Sequence, residues 1–278
     1  MPAPPPPDPD AAVVDRLRAA GCVFAEDEAR LLVEAAGTAA ELETMIQRRV
    51  GGLPLEQIVG WAEFCGLRIA VAPGVFVPRR RTEFLVECAI RLTAPDAVVV
   101  DLCCGSGALG AALAAAVGAV QLHAADVDRA AVACARLNLG GLGQVYAGDL
   151  YEPLPATLRG RVDVLLANVP YVPSRDIALM PAEAREHEPR IALDGGGDGL
   201  DVARRVTAEA PEWLAAGGSL LFETSESQAS LAAEIVAAAG LTARVETDDE
   251  RGATVVVGTR RLTASGAGGG RRASSARR

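Results

Sequence analysis

The sequence predicts an α/β protein with a doubly wound, mostly parallel sheet of seven strands and a small N-terminal helical domain. Three observations carry this prediction. From residue 97 onward, short apolar runs alternate with segments rich in Ala and Leu, as strands and helices do in such folds. Over residues 11–49 the apolar residues recur at helical spacing instead. The 278 residues, 50% of them hydrophobic, are enough to bury one large core and a smaller one.

The strand candidates are short runs in which Val, Leu and Ala predominate. Strands buried on both faces are continuously apolar, so runs of this length favour parallel strands over helices. The segment 174–200 is expected to be a long irregular loop, and such loops in compact domains are commonly functional. The candidates are Ala97–Asp101, Val120–Asp126, Gln144–Ala147, Val162–Ala167, Ser219–Glu223, Thr242–Glu246 and Thr254–Gly258.

The N-terminal part divides into three segments by composition. Residues 1–10 are rich in proline and predict an extended, disordered leader. Residues 11–50 predict three short helices, with breaks at Gly21 and Gly37. Residues 51–79 predict a linker and a β-hairpin, because the apolar pattern alternates on either side of Pro73-Gly74, which is expected at the turn.

Charge and composition exclude several classes of function. The net charge of −9 argues against a general nucleic-acid binder. Six cysteines form no Cys-x-x-Cys pair, and there are only two histidines, so no metal site is expected. No signal peptide and no membrane span are evident, so we expect a cytoplasmic protein with reduced thiols. Residues 261–278 are rich in Arg, Gly and Ser and predict a disordered tail.

A glycine loop follows the first strand of the predicted sheet. Gly105, Gly107 and Gly110 satisfy G-x-G-x-x-G, and Asp126 ends the next strand, where its carboxylate can accept both hydroxyls of a ribose. The same pattern is the fingerprint of dinucleotide binding, so NAD is one candidate ligand. Asp101 precedes the glycines; its carboxylate would repel a pyrophosphate and suit the ammonium of an amino-acid moiety. This favours S-adenosylmethionine over NAD.

The fourth strand ends abruptly in Asn168-Val169-Pro170-Tyr171. Because ligands bind at the carboxyl ends of strands in open α/β sheets, this corner lies where chemistry is expected. The Asn168 oxygen and the Val169 carbonyl can accept both hydrogens of a planar NH2 group, and the Tyr171 ring can cover its face. The corner therefore predicts an amide or an exocyclic amine as the group that is modified, and it again favours S-adenosylmethionine.

Two further groups of side chains are open to alternative interpretations. Asp149 follows the third strand, where it either accepts from an adenine amino group or binds a local backbone amide in a turn. Arg79, Arg80 and Arg81 either open a solvated helix, which their spacing favours, or form a cationic rim over a carboxylate.

With these residues in place, the chain resembles the HemK/PrmC family of protein glutamine N5-methyltransferases. The resemblance covers about Leu17 to Gly258 and rests on an ordered set of motifs. They are Gly52–Gly60 with Glu63–Leu67, Pro73–Arg79 with Thr82-Glu83, Asp101–Gly107, Asn168–Tyr171, and Asp194-Gly195 with Asp198–Asp201.

The resemblance implies a Rossmann-like class I methyltransferase fold over residues 80–260 and a substrate-docking role for the helical domain of 11–50. It implies a peptide-chain release factor as partner, modified at the glutamine of a Gly-Gly-Gln loop. The substrate site would hold Arg79 and Thr82 beside Asn168 and Tyr171, with Asn168–Tyr171 as the catalytic corner. The implied S-adenosylmethionine site comprises Asp101, Cys103, Cys104, Gly105, Ser106, Gly107, Asp126, Val127, Asp149, Leu150 and Asn168.

Some positions depart from the family pattern. Val169 stands where proline is usual, Cys103 where glycine is usual, and Arg80 and Arg81 replace a proline and an acid. Val169 still supplies a backbone carbonyl, and because it precedes Pro170 its backbone is already biased toward extended geometry. We therefore expect the corner to function.

Four alternatives remain open from the sequence alone. The first is methylation of a glutamine in a ribosomal protein, and the second is N6-methylation of adenine, which needs a basic face that this acidic chain lacks. The others are a non-catalytic S-adenosylmethionine-binding module and an NAD oxidoreductase. No direct contact with nucleic acid is expected.

Overall fold

The structure is a computed structural model that describes residues 9–262. Most of the predicted leader and the predicted tail from Thr263 onward lie outside the described residues. The prediction of an extended leader through residue 10 is wrong at its end, because helix α1 already begins at Pro9. Proline is compatible with the first turn of a helix, where its missing N–H would have no partner in any case.

The N-terminal helical domain contains the three predicted helices, α1 (Pro9–Ala19), α2 (Ala25–Ala35) and α3 (Ala39–Val50). The Thr38 hydroxyl caps α3 by accepting from the Glu41 N–H at 3.2 Å. The three helices enclose a small core of their own, built from Val13, Leu17, Leu32 and Ile46.

The linker holds a short helix that was not predicted, α4 (Leu55–Val59), and the hairpin of β1 (Trp61–Phe64) and β2 (Leu67–Ala70). The predicted turn at Pro73-Gly74 is wrong. The strands are joined at Cys65-Gly66 instead, where both residues have positive φ, 49° and 72°, as tight two-residue hairpin turns require.

The remaining chain forms the predicted seven-stranded sheet with helices on both faces. The strand order is β5-β4-β3-β6-β7-β9-β8, and β9 runs antiparallel to both its neighbours. The elements are α5 (Glu83–Ile90), β3 (Val98–Leu102), α6 (Ala108–Val117), β4 (Gln121–Asp126), α7 (Arg129–Asn138), β5 (Gly143–Ala147), β6 (Val162–Ala167), α8 (Ala182–His187), α9 (Asp201–Trp213), β7 (Leu214–Thr224), α10 (Ala229–Ala238), β8 (Thr242–Asp248) and β9 (Ala253–Thr259).

Two apolar cores flank this sheet, one shared with α5, α6 and α7 and the other with α9 and α10. The strand order reverses at β3, which pairs with β4 on one side and β6 on the other. Ligands bind at this kind of reversal in open α/β sheets.

The prediction of an irregular loop over 174–200 needs correction, since this segment contains α8 and two short 3-10 turns. Over residues 9–262, no helix is long and apolar enough to cross a bilayer.

Candidate active site

A cavity of about 280 Å³ opens at the carboxyl ends of the parallel strands, where the strand order reverses. Its glycine-loop half is lined by Cys103–Ser106, Asp126–Asp128 and Asp149–Leu150. Its corner half is lined by Asn168–Tyr171 with Arg81 and Glu223. Predicted site residues from four strand ends thus meet in one cavity, which is near the lower end of the volumes typical of small-molecule sites.

Asp126 is tied to the glycine loop by backbone hydrogen bonds. One carboxylate oxygen accepts from the Gly105 N–H at 2.9 Å, and the other accepts from the Asp128 N–H at 2.8 Å. Burial raises the pKa of this carboxyl, against the effect of the two backbone donors. Each oxygen keeps a further lone pair, so Asp126 can accept two hydroxyls while its orientation stays fixed.

Two residues of the glycine-loop half have a left-handed backbone although they are not glycine. Cys103 has φ +54° and Leu150 has φ +48°, a region that L-residues seldom adopt and that often marks functional sites. Glycine adopts this conformation without strain, which gives a physical reason for glycine at the position of Cys103 in the family. Burial raises the pKa of the Cys103 thiol well above its usual range, so the side chain is a neutral wall of the cavity.

Asp101 and Gly107 lie next to the cavity but do not line it. Gly107 precedes α6 with φ +80°, and a Cβ there would lie 3.1 Å from the Leu139 side chain, so its role is in packing. Asp101 is 0% exposed, and one of its oxygens accepts from the Gly110 N–H at 3.1 Å. Its other oxygen has no partner among the described residues.

The unpartnered oxygen makes Asp101 a candidate acceptor for a cationic ligand group. Burial, with a contribution from the nearby Asp126, raises the pKa of Asp101 to about 7. A buried acceptor without a donor is costly, and an ammonium group would remove that cost. The assignment of Asp101 to the ammonium of an amino-acid moiety therefore fits this site and stays a prediction.

The Asn168 corner is held rigidly from behind while its front faces the cavity. A Cβ on Gly195 would lie 2.7 Å from the Pro170 carbonyl oxygen, so only glycine allows this loop to pack so closely. Gln228 donates to the Tyr171 carbonyl at 2.9 Å. Within residues 9–262, neither the Asn168 side chain nor the Val169 carbonyl has a hydrogen-bond partner. Both acceptors required by the predicted chemistry are thus available.

A cluster of three polar side chains anchors the hydroxyl of Tyr171. The hydroxyl donates to Glu223 at 2.6 Å and accepts from Arg81 at 2.5 Å, and Arg81 also donates to Glu223 at 3.0 Å. Glu223 is 2% exposed, and its second oxygen has no partner among the described residues. Burial raises the pKa of Tyr171, and the neighbouring Glu223 carboxylate raises it further, so the phenol stays protonated.

Arg79 is paired in a similar way with a distant glutamate. It donates to Glu188 at 2.5 Å, and Glu188 also accepts from the Val77 N–H at 3.2 Å. Both arginines therefore line the cavity while bound to buried carboxylates. The favoured interpretation of Arg79–Arg81 as a solvated helix start is therefore incomplete: Arg80 is exposed and the Arg81 side chain is 48% exposed, but Arg79 and Arg81 also pair with buried glutamates. Thr82 lines the cavity as predicted and is buried.

Asp149 pairs with Arg205 of α9 at 2.6 Å, so the local turn interpretation is not what the structure shows. Sequence reasoning missed Arg205, Glu223 and Gln228. Glu223 was detectable, because it lies near the carboxyl end of a predicted strand on the same side as the corner. Arg205 and Gln228 lie on helices without any motif around them. In the described part of the chain, no cluster of His, Cys, Asp or Glu could hold a metal ion.

Comparison with known proteins agrees with this fold. The family model "Methyltransferase small domain" matches residues 66–198. A methyltransferase from Pyrococcus furiosus has a TM-score of 0.57 at 16% identity, over 78% of this chain and 100% of that one. The 16S rRNA N2 G1207 methyltransferase of T. thermophilus, in complex with AdoMet and guanosine, has a TM-score of 0.52 at 20% identity, over 72% and 50% of the two chains. At these identities both structures show the fold alone.

The relationship in sequence is much stronger. A release factor glutamine methyltransferase of Geobacter sulfurreducens is 37% identical over 219 residues, which span 78% of this chain and 76% of the relative. This confirms the family predicted from the motifs, and the chain belongs to the release factor glutamine methyltransferases.

Proposed function

We propose that the protein transfers a methyl group from S-adenosylmethionine to the side-chain amide nitrogen, N5, of a glutamine in a peptide-chain release factor. One observation carries this proposal: the glycine loop with Asp126 and the unpartnered Asn168 corner open into the same cavity. Family membership supports the choice of substrate. The orphaned buried oxygen of Asp101 supports a ligand with an ammonium group in the glycine-loop half.

The residues of the glycine-loop half suit the cofactor part by part. Asp126 would accept the ribose hydroxyls, Asp101 would neutralise the ammonium, and Asp149 with Leu150 would bound the adenine. When bound, S-adenosylmethionine supplies an electrophilic methyl group on a sulfonium centre.

The corner would act on the amide that receives the methyl group. An amide nitrogen is a poor nucleophile because its lone pair is delocalised into the carbonyl. The Asn168 oxygen and the Val169 carbonyl would accept its two hydrogens, orient the nitrogen and stabilise the positive charge that develops on it. The Tyr171 ring would cover the amide plane, held there by Glu223 and Arg81. The proton released from nitrogen goes to water, so no general base is required.

The helical domain of residues 11–50 would dock a second face of the release factor. Val23 and Phe24, in the turn between α1 and α2, are 83% and 69% exposed and offer an apolar contact. A glutamine between glycines has no bulky neighbour, which would let its side chain extend into the cavity.

The test is mass spectrometry of full-length release factor and of an isolated Gly-Gly-Gln loop peptide after incubation with methyl-labelled S-adenosylmethionine. We expect the label on the glutamine side chain of the full-length protein, and far slower labelling of the peptide. The substitution Phe24→Ser should slow labelling of the full-length protein severalfold and leave the peptide unaffected, whereas Leu137→Ser, at a site 75% exposed on α7, should change neither.

Two results would contradict the proposal at different levels. Label on a ribosomal protein, with the release factor unmodified, would overturn the substrate and retain the chemistry. Label on the adenine of a nucleic acid would overturn the proposed acceptor altogether.

A further inference from the structure

Asp149 and Arg205 form an ion pair on the rim of the glycine-loop half, and Arg205 belongs to none of the motifs of the glycine loop or the corner. The Arg205 Nη2 atom lies 2.6 Å from one carboxylate oxygen of Asp149. The two side chains are 54% and 41% exposed, and both line the cavity. Ion pairs this exposed contribute little to stability, so stability alone does not account for this pair.

The pair joins two parts of the site that are distant in sequence. Asp149 follows β5, and Arg205 lies on α9, whose first residues follow the glycine segment 195–199 behind the corner. Without Arg205 the short side chain of Asp149 would rotate freely in a half-exposed position. With it, one oxygen is occupied, and the other has no partner among the described side chains and amides.

Because Arg205 binds one oxygen of the Asp149 carboxylate, the other oxygen can accept a hydrogen bond from a fixed direction. Next to Asp149, Leu150 adopts its left-handed backbone, and Leu150 and the exposed Val127 both line the cavity. A flat heterocycle that packs against these apolar side chains could place an exocyclic amine on its edge at the neighbouring Asp149. The hydrogen bond of Arg205 to Asp149 also raises the pKa of the guanidinium, which therefore stays charged.

We propose that Arg205 is a positioning residue that holds the Asp149 carboxylate in place to accept the adenine amino group of the cofactor. This inference rests on the proposed use of S-adenosylmethionine. It makes Arg205 a determinant of the selectivity for adenine, although it need not touch the cofactor.

The experiment is calorimetric titration with S-adenosylhomocysteine and with its analogue in which purine replaces adenine, so that only the amino group is missing. A hydrogen bond to a charged acceptor predicts that the unaltered protein prefers S-adenosylhomocysteine by roughly 10- to 100-fold. In Arg205→Gln this preference should fall severalfold, through weaker binding of S-adenosylhomocysteine with little change for the analogue. Arg205→Lys should recover part of it.

Arg16→Gln is the matched control, because the Arg16–Glu43 pair on the helical domain is similarly exposed, at 43% and 47%. That variant should keep the preference of the unaltered protein. A preference that is unchanged in Arg205→Gln, or affinities for both ligands that fall equally, would overturn the inference.

The two levels of the proposal fail in distinguishable ways. If neither ligand binds the unaltered protein, the proposed cofactor is wrong and the role of Arg205 falls with it. If S-adenosylhomocysteine binds and the release factor is methylated, but the amino group makes no difference to affinity, only the role of Arg205 is overturned.

Discussion

The two halves of the cavity are built by different means. In the glycine-loop half, backbone N–H groups of Gly105 and Asp128 fix Asp126, and the chain itself takes strained conformations at Cys103 and Leu150. In the corner half, side chains fix side chains, as Glu223 and Arg81 do for Tyr171. Backbone contacts suit a ligand that never varies, whereas side-chain contacts can change with the substrate. The difference predicts that substitutions separate cofactor binding from methyl transfer.

Asn168→Ala should have the largest effect on turnover. It removes one of the two acceptors for the amide hydrogens, and loss of one such preorganised group costs on the order of 100- to 1000-fold in kcat. Single-turnover methylation of full-length release factor measures this loss. Retained turnover in a folded variant would make the corner structural and refute the mechanism.

Asp126→Ala should act on the other half. Loss of charge-assisted hydrogen bonds to the ribose should weaken S-adenosylhomocysteine binding by about 1.5–3 kcal/mol. Calorimetry measures this change, with the exposed Asp27→Ala as a control that should bind normally. Unchanged affinity in Asp126→Ala would remove Asp126 from the cofactor site.

Asp101 should make cofactor binding depend on pH. Its pKa of about 7 in the free protein means that the carboxyl is largely neutral at pH 6 and ionised at pH 8. An ammonium binds the ionised form, so the affinity for S-adenosylhomocysteine should rise with pH, by up to about tenfold per pH unit below pH 7. Asp101→Asn should flatten this profile. An equally steep profile in the variant would assign the titration to another group.

Because the folded state raises the pKa of Asp101, its protonated form favours folding. The stability from this group is complete only below its ordinary pKa of 3.8 and is lost as pH rises from there through about 7. Asp101→Asn should therefore increase the stability of the free protein at pH 8 relative to pH 5, as measured by urea denaturation.

Glu223→Gln should weaken the anchoring of Tyr171 without touching the cofactor. Replacing a charged acceptor by a neutral one lowers the strength of two hydrogen bonds, each by about 1 kcal/mol at most. We expect kcat for release factor to fall about fivefold, with the affinity for S-adenosylhomocysteine unchanged. The matched variant Glu43→Gln, at an exposed ion pair, should leave both quantities alone. A Glu223→Gln enzyme with full kcat would show that the cluster does not position Tyr171.

Val169→Pro should have the smallest effect, within about twofold in kcat. The carbonyl at this position is supplied by the backbone, and the residue before Pro170 is already restricted to extended geometry. A folded proline variant without activity would reveal a role for the valine side chain, which is 2% exposed.

The sheet was predictable because most of its strands are short apolar runs between turn signals, and all seven strands overlap the predicted segments. The glycine loop, Asp126 and the Asn168 corner were predictable because they follow strand ends, which meet at one edge of a parallel sheet. The position of the hairpin turn was not, because Cys65 stands where Asn, Asp or Gly usually precedes the glycine of such a turn, while Pro73-Gly74 resembles a turn.

Pairings across the fold were beyond reach from the sequence. Arg79 meets Glu188 over 109 residues, and Arg81 meets Glu223 over 142 residues. No local pattern marks the partners, because such contacts follow from how α5, the sheet and the 174–200 segment pack together. For this reason the sequence favours a solvated helix start where the structure has two ion pairs with buried glutamates.

The most direct test of the division between the two halves is calorimetric titration of Asn168→Ala and Asp126→Ala with S-adenosylhomocysteine, side by side with the unaltered protein. The division predicts that Asn168→Ala binds within about twofold of the unaltered protein, despite its large loss of kcat, and that Asp126→Ala binds roughly 10- to 100-fold more weakly. Equal loss of affinity in the two variants would contradict it, because cofactor binding and amide recognition would then depend on the same residues.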